Sequence, residues 1–192
     1  MSLKVIALTG SKGSGKDTVG QLISDLCGGQ TIAFADPIKN VVEHVFQLPV
    51  QGVGLGDHQA YDQFKRTRLT FDLPKINMMS VDARHVVREI GMLMREYDDK
   101  QFNKYVKEKI ESDPSKIWVV TDLRFDNEYT MLKSIGAKVV KITRPAYTYD
   151  GHITEREFND SLVDYTLMND GSLDYLKIRT EIVMNQIMKE WE

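Results

Sequence analysis

A single cysteine, Cys27, is all that 192 residues contain. The chain therefore closes no disulfide within itself and suits a reducing compartment. Long apolar runs are also missing. The stretch "LKVIAL" near the start is too short for the apolar region of a signal peptide and leads straight into a glycine-rich loop. No run approaches the roughly 20 residues of a membrane span. Nor is there a surplus of positive charge. The 25 Lys and Arg face 28 Asp and Glu, a formal net charge of −3. That argues against broad nucleic-acid binding and leaves room for a local basic site. Repeats, low-complexity tracts and linkers are absent. The expectation is a soluble cytoplasmic chain with one core, which 42% hydrophobic residues can build.

What is present is an alternation of short apolar runs and amphipathic stretches. "LKVIALT" (3–9), "TIAF" (31–34), "KIWVVTD" (116–122), "AKVVKIT" (137–143) and "YTLM" (165–168) predict five buried strands. Helices are predicted over about 16–27, closed by Gly28 and Gly29, and over 37–46, with Pro37 at the first position. Others are predicted over 81–96 with Ser80 as cap, from 98 or 99 to about 111, over 126–136, and over 173–191. The last has an apolar stripe of Leu176, Val183, Ile187 and Trp191. Residues 48–80 are glycine-rich and polar and predict an irregular insertion with one helical turn near 61–68. Strands alternating with helices predict an α/β fold around a parallel five-stranded sheet, with ligands at the carboxyl ends of the strands.

"GSKGSGKDT" follows the first strand and opens the first helix. Gly10, Gly13 and Gly15 free the backbone to wrap N–H groups around phosphate oxygens. Lys12, Ser14 and Thr18 border the loop, and Lys16 would reach the outer phosphates as a point charge. The helix start adds its positive end. The plain alternative is a glycine turn with an exposed lysine. The usual pattern has Ser or Thr after the lysine to ligate Mg²⁺, and this chain has Asp17. A carboxylate is a hard ligand that can hold Mg²⁺ directly or through water. Thr18 can supply a hydroxyl instead, and Asp17 is also an ordinary acid for a first helical turn.

Asp122 ends an apolar strand, where an acid commonly holds Mg²⁺ or caps a turn. Arg124 follows on the same rim, and Glu128 either orients an arginine or is a plain helix residue. Arg84, Arg88 and Arg95 fall in one stripe with Gly91, which suits either a second anion site open to a ligand or a solvated face. The polar stretch 144–161 contains Arg144, His152, Glu155 and Arg156 and suits a lid over transferring phosphates. "NDG" (169–171) either borders a purine ring through Asn169 and Gly171 or is a simple turn.

Together, "ALTGSKGSGKDT", "FADPIK", "ARHVVREIG", "VVTDLRFDNE", "AKVVKITRP", "HITE" and "NDGSLDYL" resemble the deoxynucleoside monophosphate kinases of large tailed phages, in order and over nearly the whole chain. The resemblance implies a three-layer P-loop kinase fold of one domain, 1–192. It would have a substrate-binding insertion at about 37–111 and a lid at about 144–162. It implies transfer of the γ-phosphoryl group of ATP to a dNMP with Mg²⁺, in the (host) cytoplasm, with no nucleic acid or membrane partner and a homodimer left open. By position, Lys16, Asp122, Arg124 and Arg144 would be catalytic, with Asp17 and Asp122 at the metal. Asp36, Lys39, Arg84, Arg88, Arg124, Glu128, His152, Glu155 and Arg156 would contact the acceptor. The family has glutamine where this chain has Arg88, and "GT" plus an acid where it has "GML" (91–93), so base specificity does not carry over. Two rivals differ in class. One is a hydroxyl kinase such as dephospho-coenzyme A kinase, with Asp36 as base. The other is a regulatory protein that uses ATP as a switch.

Overall fold

The computed structural model describes residues 3–46, 67–73, 76–145 and 158–192. The chain divides into two compact units. One comprises residues 1–34 and 103–192, the other residues 35–102.

The larger unit is built on a parallel sheet of five strands: β1 (Lys4–Thr9), β2 (Gln30–Ile32), β5 (Ile117–Val120), β6 (Lys138–Thr143) and β7 (Tyr165–Met168). Its order is β2-β5-β1-β6-β7. Register runs Lys4↔Ile117 between β1 and β5, and Ile6↔Lys138 between β1 and β6. With all strands parallel, the segments that follow β1, β2, β5, β6 and β7 leave the same edge. The strands flanking β1 are joined to each other by a crossover, which makes that edge a switch point.

Helices flank the sheet: α1 (Lys16–Cys27), α4 (Gln101–Ser112), α5 (Asp126–Ser134) and α6 (Leu173–Glu190). On one face Ile6 and Leu8 of β1, Val140 and Ile142 of β6 and Leu167 of β7 pack with Val19 and Ile23 of α1 and with Leu176, Met184 and Ile187 of α6. Burial of such side chains stabilises by roughly 1.5–3 kcal/mol each. The α6 stripe thus matches the expectation at Leu176 and Ile187, with Met184 fully in the core and Val183 and Trp191 at its margin. Gly20 lets α1 approach the sheet, since a Cβ there would lie 2.8 Å from the Thr121 methyl. Gly28, at φ 65°, ends α1 as expected.

The smaller unit holds α2 (Asp36–Val45), β3 (Arg68–Leu73), β4 (Ile76–Asp82) and α3 (Ala83–Tyr97). β3 and β4 form an antiparallel hairpin in register Arg68↔Asp82. The expectation of irregular structure up to residue 80 therefore fails over this stretch. "RLTFDL" alternates apolar and polar residues with the period of a strand, a signal masked by the glycine-rich residues before it. The proposed turn at 61–68 lies outside the described residues up to position 66, and Arg68 is in β3. Ser80 is not the cap of the next helix, because β4 continues through it. The Asp82 carboxylate takes that role and accepts from the His85 N–H at 2.7 Å. Among the described residues no helix is long and apolar enough to cross a membrane.

At the far end of α6, Lys138 and Tyr165 both donate to the Glu190 carboxylate. Those donors hold the Glu190 carboxyl below its ordinary 4.5, Lys138 contributing most. A depressed folded pKa adds stability above the unfolded value and loses it as pH falls. Glu190→Gln should therefore lower the thermal midpoint at pH 7, and the gap to wild type should close as pH drops below 4.5. Thermal unfolding from pH 3 to 7 checks it.

Candidate active site

The loop after β1 turns through three glycines in the left-handed half of backbone space: Gly10 at φ 142°, Gly13 at 75° and Gly15 at 101°. Space reinforces the choice. A Cβ on Gly10 would lie 2.3 Å from the Ile142 carbonyl, and one on Gly15 would lie 2.6 Å from the Asn169 amide nitrogen. Lys16, the first residue of α1, is 8% exposed. Its Nζ donates to the Gly10 carbonyl at 2.7 Å and the Ser11 carbonyl at 2.8 Å. That excludes the plain turn with an exposed lysine. An ammonium is held inside a glycine loop at the positive end of a helix, an arrangement that attracts anions. Asp17 is half-buried in the first turn and Thr18 is exposed.

Two further strand ends reach this loop. Arg144, just beyond β6, donates from Nη1 to the Gly13 carbonyl at 3.3 Å. Asn169, just beyond β7, donates from Nδ2 to the Ser14 carbonyl at 2.8 Å. Its own N–H bonds the Thr143 carbonyl at 2.7 Å. On the other flank Asp122 follows β5, and its Oδ1 accepts from the Phe34 N–H at 2.8 Å. The Leu123 N–H bonds the Leu8 carbonyl at 3.1 Å, which ties the segment after β5 to β1. Glu128, 1% exposed, accepts the Arg124 N–H at 2.9 Å and the Phe125 N–H at 3.1 Å. It is the N-terminal anchor of α5 and fixes the backbone that carries Arg124.

In the smaller unit, Asp36 and Lys39 form a buried ion pair at 2.8 Å in the first turn of α2, with Asp36 3% exposed. Arg84, Arg88 and Arg95 are half-buried along α3. Gly91 does not open this stripe to a ligand. It is buried, and a Cβ there would meet Ile38 of α2 at 3.1 Å, so it serves helix packing. The Arg95 guanidinium lies 4.6 Å from the Phe102 ring centroid, a stacking role. His152, Glu155 and Arg156 lie outside the described residues.

Residues matched by a family model for deoxynucleotide monophosphate kinases are 4–102 and 86–180, nearly the whole chain. The chain belongs to the deoxynucleotide monophosphate kinase family. A protein of Acanthamoeba polyphaga mimivirus, provisionally named a deoxynucleotide monophosphate kinase, is 27% identical, with 88% of this chain and 90% of that protein covered. The fold is that of the P-loop kinases. A dephospho-CoA kinase from Campylobacter jejuni superposes with a TM-score of 0.52 at 16% identity, covering 98% of both chains. A Thermus thermophilus protein gives 0.50 at 15% identity, covering 97% of this chain and 98% of its own. This protein is a nucleotide kinase.

Sequence reading missed how this kinase holds the segment after β7. Arg179 of α6 donates to the Met168 carbonyl at 2.9 Å, pairs with Asp170 at 3.4 Å and stacks 4.4 Å from the Tyr175 ring centroid. The i,i+4 spacing of Tyr175 and Arg179 was the available signal. Gly171 is explained by the same cluster, since a Cβ there would sit 2.7 Å from the Tyr175 ring. Among the described residues no group of three or more His, Cys, Asp or Glu gathers as a metal cage.

Gly10 and Gly28 both sit at positive φ, but a Cβ on Gly28 meets nothing within 4 Å. Gly28→Ala should therefore cost only the strain, about 1–2 kcal/mol. Gly10→Ala should cost that plus an overpacking penalty of about 1–3 kcal/mol. Urea unfolding of both variants measures the difference.

Proposed function

We propose that the protein transfers the γ-phosphoryl group of ATP to a deoxynucleoside monophosphate, giving dNDP and ADP. The observation that carries this is Lys16, buried in a left-handed glycine loop at the start of α1, in a chain of this family. The loop N–H groups and the α1 N-terminus take the ATP phosphates. Lys16 exchanges the Gly10 and Ser11 carbonyls for phosphate oxygens, which costs it two neutral hydrogen bonds and returns charge-assisted ones. Arg144, exposed and reaching the Gly13 carbonyl, neutralises charge on the transferring group, together with Arg124, whose backbone Glu128 pins. His152, Glu155 and Arg156, in the lid proposed at about 144–162, are assigned to the substrate by the sequence resemblance alone. Arg84, Arg88, Asp36 and Lys39 take the acceptor nucleotide.

The acceptor phosphate is already anionic, so its attack needs positioning and charge neutralisation more than a base. The candidate metal ligands Asp17 and Asp122 are hard oxygen donors. Such donors suit Mg²⁺, which comes with nucleotide phosphates and needs few protein ligands. Asp17 and Asp122 would hold Mg²⁺ directly or through water, and the ion would offset the negative charge of the phosphates there.

A hydroxyl acceptor would require a free carboxylate base. Asp36 is the candidate, and its Oδ1 is committed to Lys39 at 2.8 Å, which favours the phosphate acceptor. Asp36→Asn keeps the shape and an oxygen to which Lys39 can donate, so it disturbs the buried pair less than Ala would. Turnover of Asp36→Asn with dNMPs should stay within about tenfold of wild type, and a loss of about 10³-fold or more would mark a general base. Lys16→Ala should lower kcat by about 10²–10³-fold with the protein still folded by circular dichroism. An active Lys16→Ala variant contradicts the assignment.

A further inference from the structure

Asn169 reads from the sequence as a purine border or a simple turn, and in the structure its side-chain amide is bonded to the glycine loop. Nδ2 donates to the Ser14 carbonyl at 2.8 Å, and the Asn169 N–H is bound to the last carbonyl of β6 at 2.7 Å. One residue thus joins the β7 exit, the β6 exit and the phosphate loop. The bond lies on the Ser14–Gly15 peptide. That plane also carries the Gly15 N–H, which points opposite to the C=O that Asn169 holds. A peptide is planar, so fixing its C=O fixes the direction of its N–H. Gly15 is matched to the contact, because any Cβ there would collide with the same Nδ2.

The segment that presents Asn169 is itself braced. Arg179 holds the Met168 carbonyl at 2.9 Å and the Asp170 carboxylate at 3.4 Å. The amide is therefore delivered from a fixed point, and its bond to the loop has a defined length.

We infer that Asn169 is a positioning residue for phosphoryl transfer: by holding the Ser14 carbonyl it aims the Gly15 N–H at the nucleotide phosphates. It acts on the phosphate half of the nucleotide and not on its base. The inference rests on the ATP reading above, and its test separates the two. For wild type and Asn169→Ala, KM and kcat with Mg-ATP are measured, together with the inhibition constant of adenosine, which has the base and sugar but no phosphate. Asn169→Ala should weaken Mg-ATP use, as kcat/KM, by about tenfold, the worth of one aligned hydrogen bond. Adenosine inhibition should change by less than about twofold. Parallel losses for ATP and adenosine would place Asn169 on the base, and no loss for either would remove the role; both overturn the inference. A wild-type protein that fails to use Mg-ATP at all overturns the ATP reading and this inference with it.

Asn169→Asp keeps the shape and removes the donor. Its carboxylate faces the Ser14 carbonyl and should be at least as impaired as Ala near pH 8. Protonation restores an O–H donor at the same atom, so its deficit relative to wild type should narrow as pH falls through the ordinary aspartic acid range, about 4. A deficit that stays flat with pH contradicts the role, since a merely damaged fold has no reason to recover there.

Discussion

A tight loop that lends its N–H groups to an anion must still find partners for its carbonyls, and that constraint organises this edge of the sheet. The Gly10 and Ser11 carbonyls are met by Lys16, the Gly13 carbonyl by Arg144 and the Ser14 carbonyl by Asn169. Each donor comes from a different place in the sequence: the start of α1, the end of β6 and the end of β7. The phosphate loop is therefore not a self-contained motif. Its shape is held by side chains more than a hundred positions away, and those side chains are in place only when β6 and β7 are in register beside β1.

The parallel sheet is what makes that convergence possible. Register between β1 and β6 puts Thr9 opposite Lys141, and between β6 and β7 it puts Thr143 opposite Met168. The residues that follow, Gly10, Arg144 and Asn169, then leave from one edge. On the other flank β5 delivers Asp122, whose carboxylate is held by the Phe34 N–H beyond β2. Buried apolar side chains of β1, β6, β7, α1 and α6 fix the frame. Lys16, Asp122, Arg144 and Asn169 stand at its rim.

Much of this was legible in the sequence because two strong local signals coincide. Apolar runs ended by glycine or a polar residue mark all five sheet strands, and the spacing from Gly10 to Lys16 marks the loop. What stayed hidden was tertiary. Nothing local to Asn169 says that its amide turns to Ser14, or that Gly91 faces Ile38 and not a ligand. Glu128 reads as an ordinary helix residue until its two backbone donors are seen. The β3–β4 hairpin was missed for a different reason. Its period of two is short and follows a glycine-rich polar run, and the run dominated the reading.

The proposed function turns on the class of acceptor, a phosphate or a hydroxyl. The most direct measurement is ADP release from Mg-ATP in a coupled assay against dAMP, dGMP, dCMP, dTMP and the corresponding ribonucleotides, with dephospho-coenzyme A alongside. The account predicts stimulation by one or more deoxynucleoside monophosphates and none by dephospho-coenzyme A. Stimulation by dephospho-coenzyme A alone would contradict it and move the acceptor from a phosphate to a hydroxyl.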